Sequence, residues 1–182
     1  RARDYAQRAD SVATQARAEA ERARDAAERA RSGESGYRVL TTSNGVEYAG
    51  QYGEDGWNGY AVVRFANGRY EGQLVNGSRS GLGVYYFNDS PDGSAVTLEG
   101  QWVDGKTNGL AVTTYTEGRT AGARRAGAIT GPNVYTCPGR CRREGDWIDG
   151  NAHGFHVVWT LDGYVFDAGV FADNELTTPL AP

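Results

Sequence analysis

The chain has 182 residues, of which 39% are hydrophobic, and its formal net charge is −4 at neutral pH. This length accommodates one domain with an additional helical segment, and the acidic balance argues against general nucleic-acid binding. No segment is apolar enough to span a bilayer. Methionine is absent even at position 1, so we expect a chain that was processed or that is anchored through residues upstream of Arg1.

Residues 1–31 predict one long helix with a seam of alanine. Alanine recurs at positions 2, 6, 9, 13, 16, 20, 23, 27 and 30, in alternating steps of four and three, which is an a/d heptad pattern. Because small side chains allow close backbone approach, we predict a docking or coiled-coil arm that packs on another helix or on its own copy. A solvated single helix is one alternative, and early helical residues folded into the groove of the chain's own sheet are another. Residues 32–36, Ser-Gly-Glu-Ser-Gly, predict a short flexible linker.

The segment 37–176 repeats one short frame of glycines and aromatic residues. Well-preserved copies are YEGQLVNG at 70–77, LEGQWVDG at 98–105 and REGDWIDG at 143–150. Copies begin at residues 48, 70, 98, 120 and 143, so the successive steps are 22, 28, 22 and 23 residues. The longest step contains a turn-rich insertion at 88–93. A chain that repeats one supersecondary unit is a stacked array.

Each copy predicts one β-hairpin. Two apolar runs are separated by Asn-Gly or Asp-Gly, the dipeptides that accept the positive φ of tight turns. One hairpin cannot bury its own face, so neighbouring hairpins must stack. We therefore predict a mainly β fold, an elongated and curved single-layer antiparallel sheet of stacked hairpins. The long helix precedes this sheet, and a short tail at 177–182 follows it.

The frame resembles the MORN (membrane occupation and recognition nexus) repeat, whose pattern runs roughly Tyr-x-Gly-x-Trp-x-x-Gly-x-x-x-Gly-x-Gly. The resemblance extends over about residues 37–176. The late glycine of the pattern is kept at Gly83 but is replaced by Ala61, Ala111 and His156 in other copies. The fourth copy has alanine and arginine in place of the aromatic residues. The resemblance implies an elongated hairpin array that binds partners along a groove, and it implies no catalysis.

Cys137 and Cys141 stand in the sequence TCPGRC at 136–141. A Pro-Gly turn between two cysteines allows a disulfide to close across a hairpin tip, which we predict. Such a disulfide would indicate an oxidising extracytoplasmic or organelle compartment. A metal site would need two further ligands, and the two histidines, His153 and His156, lie in a neighbouring repeat, so we expect no metal site.

Basic residues gather around the fourth copy. They are Arg124, Arg125, Arg140, Arg142 and Arg143. A cluster of this kind can meet a phosphate headgroup or an acidic protein, which makes a peripheral protein on anionic lipid the alternative function. Lipid binding of this kind would weaken steeply with salt. A solvated face without a partner is the remaining interpretation.

The sequence contains no catalytic constellation. No serine stands in a nucleophile elbow and no glycine loop opens a helix after a strand, so we expect neither an enzyme nor a bound cofactor. We predict a non-enzymatic scaffold or structural subunit that binds other protein subunits, including a helical partner, along the groove and through the N-terminal helix. The aromatic candidates for partner contact, which core packing also requires, are Tyr52, Tyr70, Tyr85, Trp102, Tyr115, Trp147 and Trp159.

Overall fold

In the part of the chain that the structure describes, thirteen strands form one open antiparallel sheet in which each strand pairs with the next along the chain. The computed structural model describes residues 1–88, 95–137, 139, 141–160 and 162–180, and within them one long helix precedes the sheet. The predicted fold class, a hairpin array after an N-terminal helix, is confirmed. The last strand reaches Pro179, which lies in the segment predicted to be a tail. The elements are α1 (Ala2–Arg31), β1 (Tyr37–Thr41), β2 (Glu47–Gln51), β3 (Gly59–Phe65), β4 (Gly68–Val75), β5 (Ser78–Phe87), β6 (Ala95–Val103), β7 (Lys106–Tyr115), β8 (Gly118–Arg125), β9 (Ala128–Cys137), β10 (Cys141–Ile148), β11 (Asn151–Thr160), β12 (Val165–Ala172) and β13 (Glu175–Pro179).

The tight turns have the left-handed backbone that their dipeptides favour. Asn76, Asp104 and Asp149 adopt φ values of 49°, 48° and 49°, and a glycine follows each of them. In the fourth copy Ala126 takes the same place with φ of 49°. Alanine disfavours this conformation, so the neighbouring repeats impose the turn on the sequence there.

Each tight turn is also hydrogen-bonded to the repeat before it. The glycine N–H of the turn donates to a backbone carbonyl at the equivalent place of the preceding hairpin. These bonds run from Gly77 to Trp57 (2.9 Å), from Gly105 to Arg79 (3.0 Å), from Gly127 to Thr107 (2.8 Å) and from Gly150 to Ile129 (2.9 Å). They join neighbouring hairpins at the strand ends, where the ladder of the sheet stops.

A glutamine–glycine contact recurs in the first three repeats. Gln73 Oε1 accepts a hydrogen bond from the N–H of Leu82 at 3.4 Å. The same oxygen occupies the space that a Cβ would need at Gly81, whose φ is 64°. Conformation and space therefore both require glycine at this position. The equivalent pairs are Gln51 with Gly59 and Gln101 with Gly109.

We expect Gly81→Ala to lower the free energy of unfolding by about 2 kcal/mol. About 1 kcal/mol comes from the left-handed backbone, and about 1 kcal/mol comes from the displaced Gln73 amide. Gly77→Ala is the matched control, because Gly77 has φ of 76° but no atom within 4 Å of its Cβ position. Denaturant unfolding of the two variants measures the difference. Equal destabilisation would show that the glutamine contact contributes nothing.

Helix α1 lies across the strands on one side of the sheet, which we call the helix face. Pairs of alanines on α1 contact one valine in every second strand. The contacts are Ala23 and Ala27 with Val62 of β3, Ala16 and Ala20 with Val84 of β5, and Ala9 and Ala13 with Val112 of β7. All of these residues are at most 3% exposed. Seven helical residues rise about 10.5 Å and two strand spacings span about 9.6 Å, so the heptad of α1 matches the hairpin repeat.

The partner of the alanine seam is therefore the chain's own sheet, and the prediction of a second helix is wrong. The small side chains do allow close approach, but they allow it toward strands. The alternative in which early helical residues fold into the groove of the chain's own sheet is met only in part, because α1 does lie on its own sheet but on the side without the cluster of Tyr85. Val84 contacts α1, and Tyr85, the next residue of β5, points to the other side of the sheet. No helix in the described part of the chain combines the length and apolarity needed to cross a bilayer.

Charged residues on α1 follow the same heptad. Positions 3, 10, 17, 24 and 31 are Arg, Asp, Arg, Arg and Arg, and each pairs with an opposite charge on the sheet. The pairs are Arg3 with Glu144 (2.8 Å), Asp10 with Arg119, Arg17 with Glu99 (2.5 Å), Arg24 with Glu71 (2.7 Å) and Arg31 with Glu47 (3.5 Å). Where the fourth repeat presents an arginine, the helix presents an aspartate. The sign of the charge is thus exchanged on the helix and on the sheet together, which indicates that the charges of α1 are complementary to those of this sheet.

Candidate binding face

The side of the sheet opposite α1 carries the aromatic rings of the repeats, and we call it the aromatic face. Tyr70, Leu74, Tyr85 and Trp102 form a buried cluster on this face. The rings of Tyr70 and Trp102 meet edge to face with centroids 5.3 Å apart. The Tyr70 hydroxyl donates to the Gln73 carbonyl at 3.0 Å, and burial raises the pKa of this phenol. These side chains are the core of the first repeats.

An open cleft of about 330 Å³ lies on the aromatic face beside this cluster. Its aromatic walls are Phe65, Tyr85, Phe87 and Trp102. Phe65 and Phe87 are half-buried, whereas Tyr85 and Trp102 are nearly fully buried. The cleft therefore offers aromatic surface to a ligand without any opening of the core.

Arg79 lies among the rings of the cleft. The distances from its guanidinium carbon to the ring centroids are 4.7 Å to Trp102, 5.4 Å to Tyr85 and 5.5 Å to Phe65. Its Nη2 donates to the carbonyl of Gly105. Burial lowers the pKa of Arg79, but an arginine remains protonated at neutral pH. Lys106 lies at the same cleft, and no acidic residue lines it in the described part of the chain.

In the fourth repeat a polar cluster replaces the aromatic core. Arg124 stands at the repeat position of Trp102 and Trp147 and is 7% exposed. Its Nη2 donates to the hydroxyls of Thr113 at 2.6 Å and Thr120 at 2.7 Å, and both threonines are buried. The loss of aromatic residues in this copy thus produces a buried cation.

In the fifth repeat His156 replaces the late glycine of the pattern and lies in the core on the aromatic face. It is fully buried, and its ring meets those of Trp147 and Phe171 edge to face. Nε2 lies 2.6 Å from the Asp146 carbonyl, so we assign Nε2–H as the donor. Burial lowers the pKa of His156 below the ordinary value, and this effect exceeds the opposite effect of the hydrogen bond to Asp146.

The lowered pKa predicts a pH dependence of stability. As the pH falls through about 6.5, the unfolded chain takes up a proton that folded His156 resists, so the free energy of unfolding should decrease and then level off below the folded pKa. His156→Gln should flatten this part of the profile. His153→Gln, which changes an exposed histidine, should leave the profile as it is in the wild type. Indistinguishable profiles for wild type and His156→Gln would contradict the prediction.

The structure divides the seven aromatic candidates for partner contact. Four of them, Tyr70, Tyr85, Trp102 and Trp147, are at most 7% exposed and belong to the core. The other three, Tyr52, Tyr115 and Trp159, are half-buried. Tyr52 meets Trp57 edge to face, Tyr115 follows Thr113 on the aromatic face, and Trp159 lies on the helix face under the guanidinium of Arg3. The candidates therefore do not form one contact surface.

The four arginines of this cluster that the structure describes do not form one basic surface either. Arg124 does not belong to an exposed basic surface, because it is buried and its guanidinium donates to two threonine hydroxyls. Arg125 is exposed at the end of β8. Arg140 lies outside the described residues.

Arg142 and Arg143 point to opposite sides of β10 because they are neighbours on one strand. Arg142 forms an ion pair with Glu144 at 2.7 Å on the helix face. Arg143 lies over the ring of Phe171 on the aromatic face, at 4.3 Å from its centroid. Each therefore already has a partner within the chain.

Cys137 and Cys141 are joined by a disulfide between the ends of β9 and β10, with Cα atoms 5.2 Å apart. The bond closes the tip of this hairpin. Among the described residues, no three His, Cys, Asp or Glu side chains gather as a metal site would require.

The MORN repeat family model matches residues 70–90, 99–118 and 144–155. The chain carries MORN repeats. The degenerate fourth copy lies between the second and third matches, in agreement with its lost aromatics. MORN repeats are generally motifs that interact with proteins or membranes. A search of the curated proteins found no match to this chain.

Sequence reasoning missed three residues of the cleft in these MORN repeats. Phe65 and Phe87 end strands β3 and β5, and a ring at a strand end is less covered by its neighbours. Arg79 follows its turn by two residues, where later copies have Thr107, Ile129 and Ala152. A cation at this otherwise uncharged position was the signal that could have identified the cleft.

Proposed function

We propose that this MORN-repeat protein is a non-enzymatic interaction module that binds a protein partner along the aromatic face. The observation that carries the proposal is that a helix covers one face of the sheet, whereas the other face is left open. Helix α1 contacts β1 to β10 on the helix face, whereas the aromatic face has an open cleft lined by the partly buried rings of Phe65 and Phe87. Aromatic rings combined with arginine are the typical centre of a protein contact surface.

In this proposal α1 is a built-in cover and contributes no docking surface of its own. The alanines of its seam are buried against the sheet, and the side of α1 that faces away from the sheet is polar. The membrane alternative has less support, because Arg124 is buried and Arg142 is paired with Glu144. Protein binding through the cleft is therefore the function that the geometry supports best.

Site-specific photo-crosslinking in the native cells tests the proposal. A photoreactive phenylalanine analogue at Phe87 keeps the ring in the cleft and should crosslink to a protein. The same analogue at Val103, which is 48% exposed at the end of β6 and outside the cleft, is the control. Adducts from Val103 alone, adducts with lipid alone, or no adduct from Phe87 would overturn the proposal.

A further inference from the structure

Arg124 is a buried cation without a carboxylate partner among the described residues. The glutamates of the other repeats lie on the helix face, where arginines of α1 neutralise them. On the aromatic face, Arg124 has the hydroxyls of Thr113 and Thr120 for its Nη2, and its buried Nε has no hydrogen-bond partner. Thr107 Oγ1, on the neighbouring strand β7, is also buried without a partner.

An arrangement of this kind is costly without an anion. A buried charge needs a counter-charge or several hydrogen bonds, and hydroxyl dipoles supply only part of what a carboxylate supplies. Burial lowers the pKa of Arg124, and the neighbouring Tyr115 hydroxyl offsets only part of this effect. The site therefore has unused capacity for a ligand with one negative charge.

The cleft of the aromatic face has the matching character, although Arg124 itself is not one of its lining residues. Thr107 and Gly127, which come from β7 and from the turn after β8, line it together with the rings of Phe87 and Trp102. Its cations are Arg79 and Lys106, and its described lining contains no acidic residue, although the whole chain has a net charge of −4. Positive charge is thus concentrated on this part of the aromatic face, which favours an acidic ligand.

We propose that the aromatic face binds an extended, acidic peptide segment of a partner protein. A carboxylate of the segment pairs with Arg124, and a bulky apolar side chain of the same segment enters the cleft between Phe87 and Trp102. This inference rests on the proposed function and specifies the chemistry of its partner. A flat bilayer fits the site less well, because a guanidinium that is 7% exposed is reached by an inserted side chain and not by a headgroup surface.

Selection from a library of random linear peptides displayed on phage tests this chemistry. The baits are the full chain, Arg124→Gln, and Arg125→Gln, which removes the same charge from an exposed position. Thermal unfolding verifies that each bait is folded. We expect Asp or Glu next to aromatic or large aliphatic residues in the peptides selected by wild type and Arg125→Gln. We expect no acidic preference with Arg124→Gln.

A synthetic pair of the best peptide and its Glu→Gln form then gives the affinity. The exchange should weaken binding to wild type by about tenfold to a hundredfold, as expected for a charge-assisted hydrogen bond, and should leave binding to Arg124→Gln unchanged. The wild-type half of this comparison remains decisive if Arg124→Gln does not fold. Selected peptides without acidic residues, or an equal loss with both proteins, would overturn this inference and leave the proposed function standing. Failure to select any peptide would also overturn this inference, whereas the proposed function is decided by the crosslinks from Phe87.

Discussion

Ala16→Leu is expected to lower the free energy of unfolding by about 3 kcal/mol, the upper part of the usual range for overpacking. Ala16 is 0% exposed and contacts Val84 together with Ala20, also 0% exposed. Three additional carbons have no space between helix and strand, so α1 must move away from β5. The displacement would also uncover the valines of the helix face. Denaturant unfolding measures the loss of stability, and binding of a hydrophobic dye reports the uncovered face.

Ala18→Leu is the matched control for this variant. Ala18 lies two residues further along α1 and is exposed, so the same exchange adds no atoms to the contact with the sheet. We expect its effect to stay within about 0.5 kcal/mol, as for other surface substitutions. A similar loss of stability in both variants would mean that the alanine seam is not the tight contact described above.

Arg17→Ala should also cost about 3 kcal/mol, because it leaves the carboxylate of Glu99 buried without another ion-pair partner among the described residues. This is the low end of the range for breaking a buried ion pair, since the side chain of Arg17 itself is 59% exposed. Equilibrium unfolding of the variant gives the value. Adding Glu99→Gln to Arg17→Ala should recover most of the loss, because the charge is then removed from both partners.

Arg24→Ala provides the comparison one heptad along the same helix. Its partner Glu71 also accepts from Arg69 at 2.7 Å, so the carboxylate keeps an ion pair when Arg24 is removed. We expect a loss of about 1 kcal/mol, comparable to that of a partly exposed pair. Equal losses of stability for Arg17→Ala and Arg24→Ala would show that Arg69 does not compensate Glu71 when Arg24 is removed.

The hairpin array could be predicted because its signals are local. Asn-Gly and Asp-Gly specify the turns whatever surrounds them, and the structure places Asn76, Asp104 and Asp149 in the left-handed conformation. Ala126 has no such signal, and its turn became evident only from its phase with the other repeats. Repetition thus supplied information that the fourth copy alone does not contain.

The partner of α1 could not be predicted from its alanine seam. A heptad of small residues fits a second helix and a row of hairpins equally well, because the spacing along the two surfaces is nearly the same. The charges were the better guide. Asp10 is the one acidic residue in a heptad register of arginines, and its counterpart Arg119 lies next to the fourth copy, where Ala121 replaces the recurring glutamate.

The site was harder to predict than the fold, because core and contact residues lie on the same face. Strand alternation sends Tyr70 and Phe87 to one side of the sheet. Trp102 covers Tyr70, while Phe87 stands at a strand end and is only partly buried. Exposure therefore depends on neighbours in adjacent repeats, which the sequence of one repeat does not reveal.

The heptad of α1 and the hairpin repeat have nearly the same length, and this agreement restricts how the number of repeats can change in evolution. A duplicated hairpin would bring one more valine and one more charge to the helix face, and only seven further helical residues could cover them. Duplication of the hairpin alone leaves bare valine, and duplication of the heptad alone leaves alanines without a strand beneath them. Within β1 to β10, the strands that α1 contacts, a change in repeat number therefore requires two insertions at separate places in the coding sequence. The helix fixes the length of this part of the array, and hairpins can be added without a longer helix only beyond it, where β11 to β13 already lie.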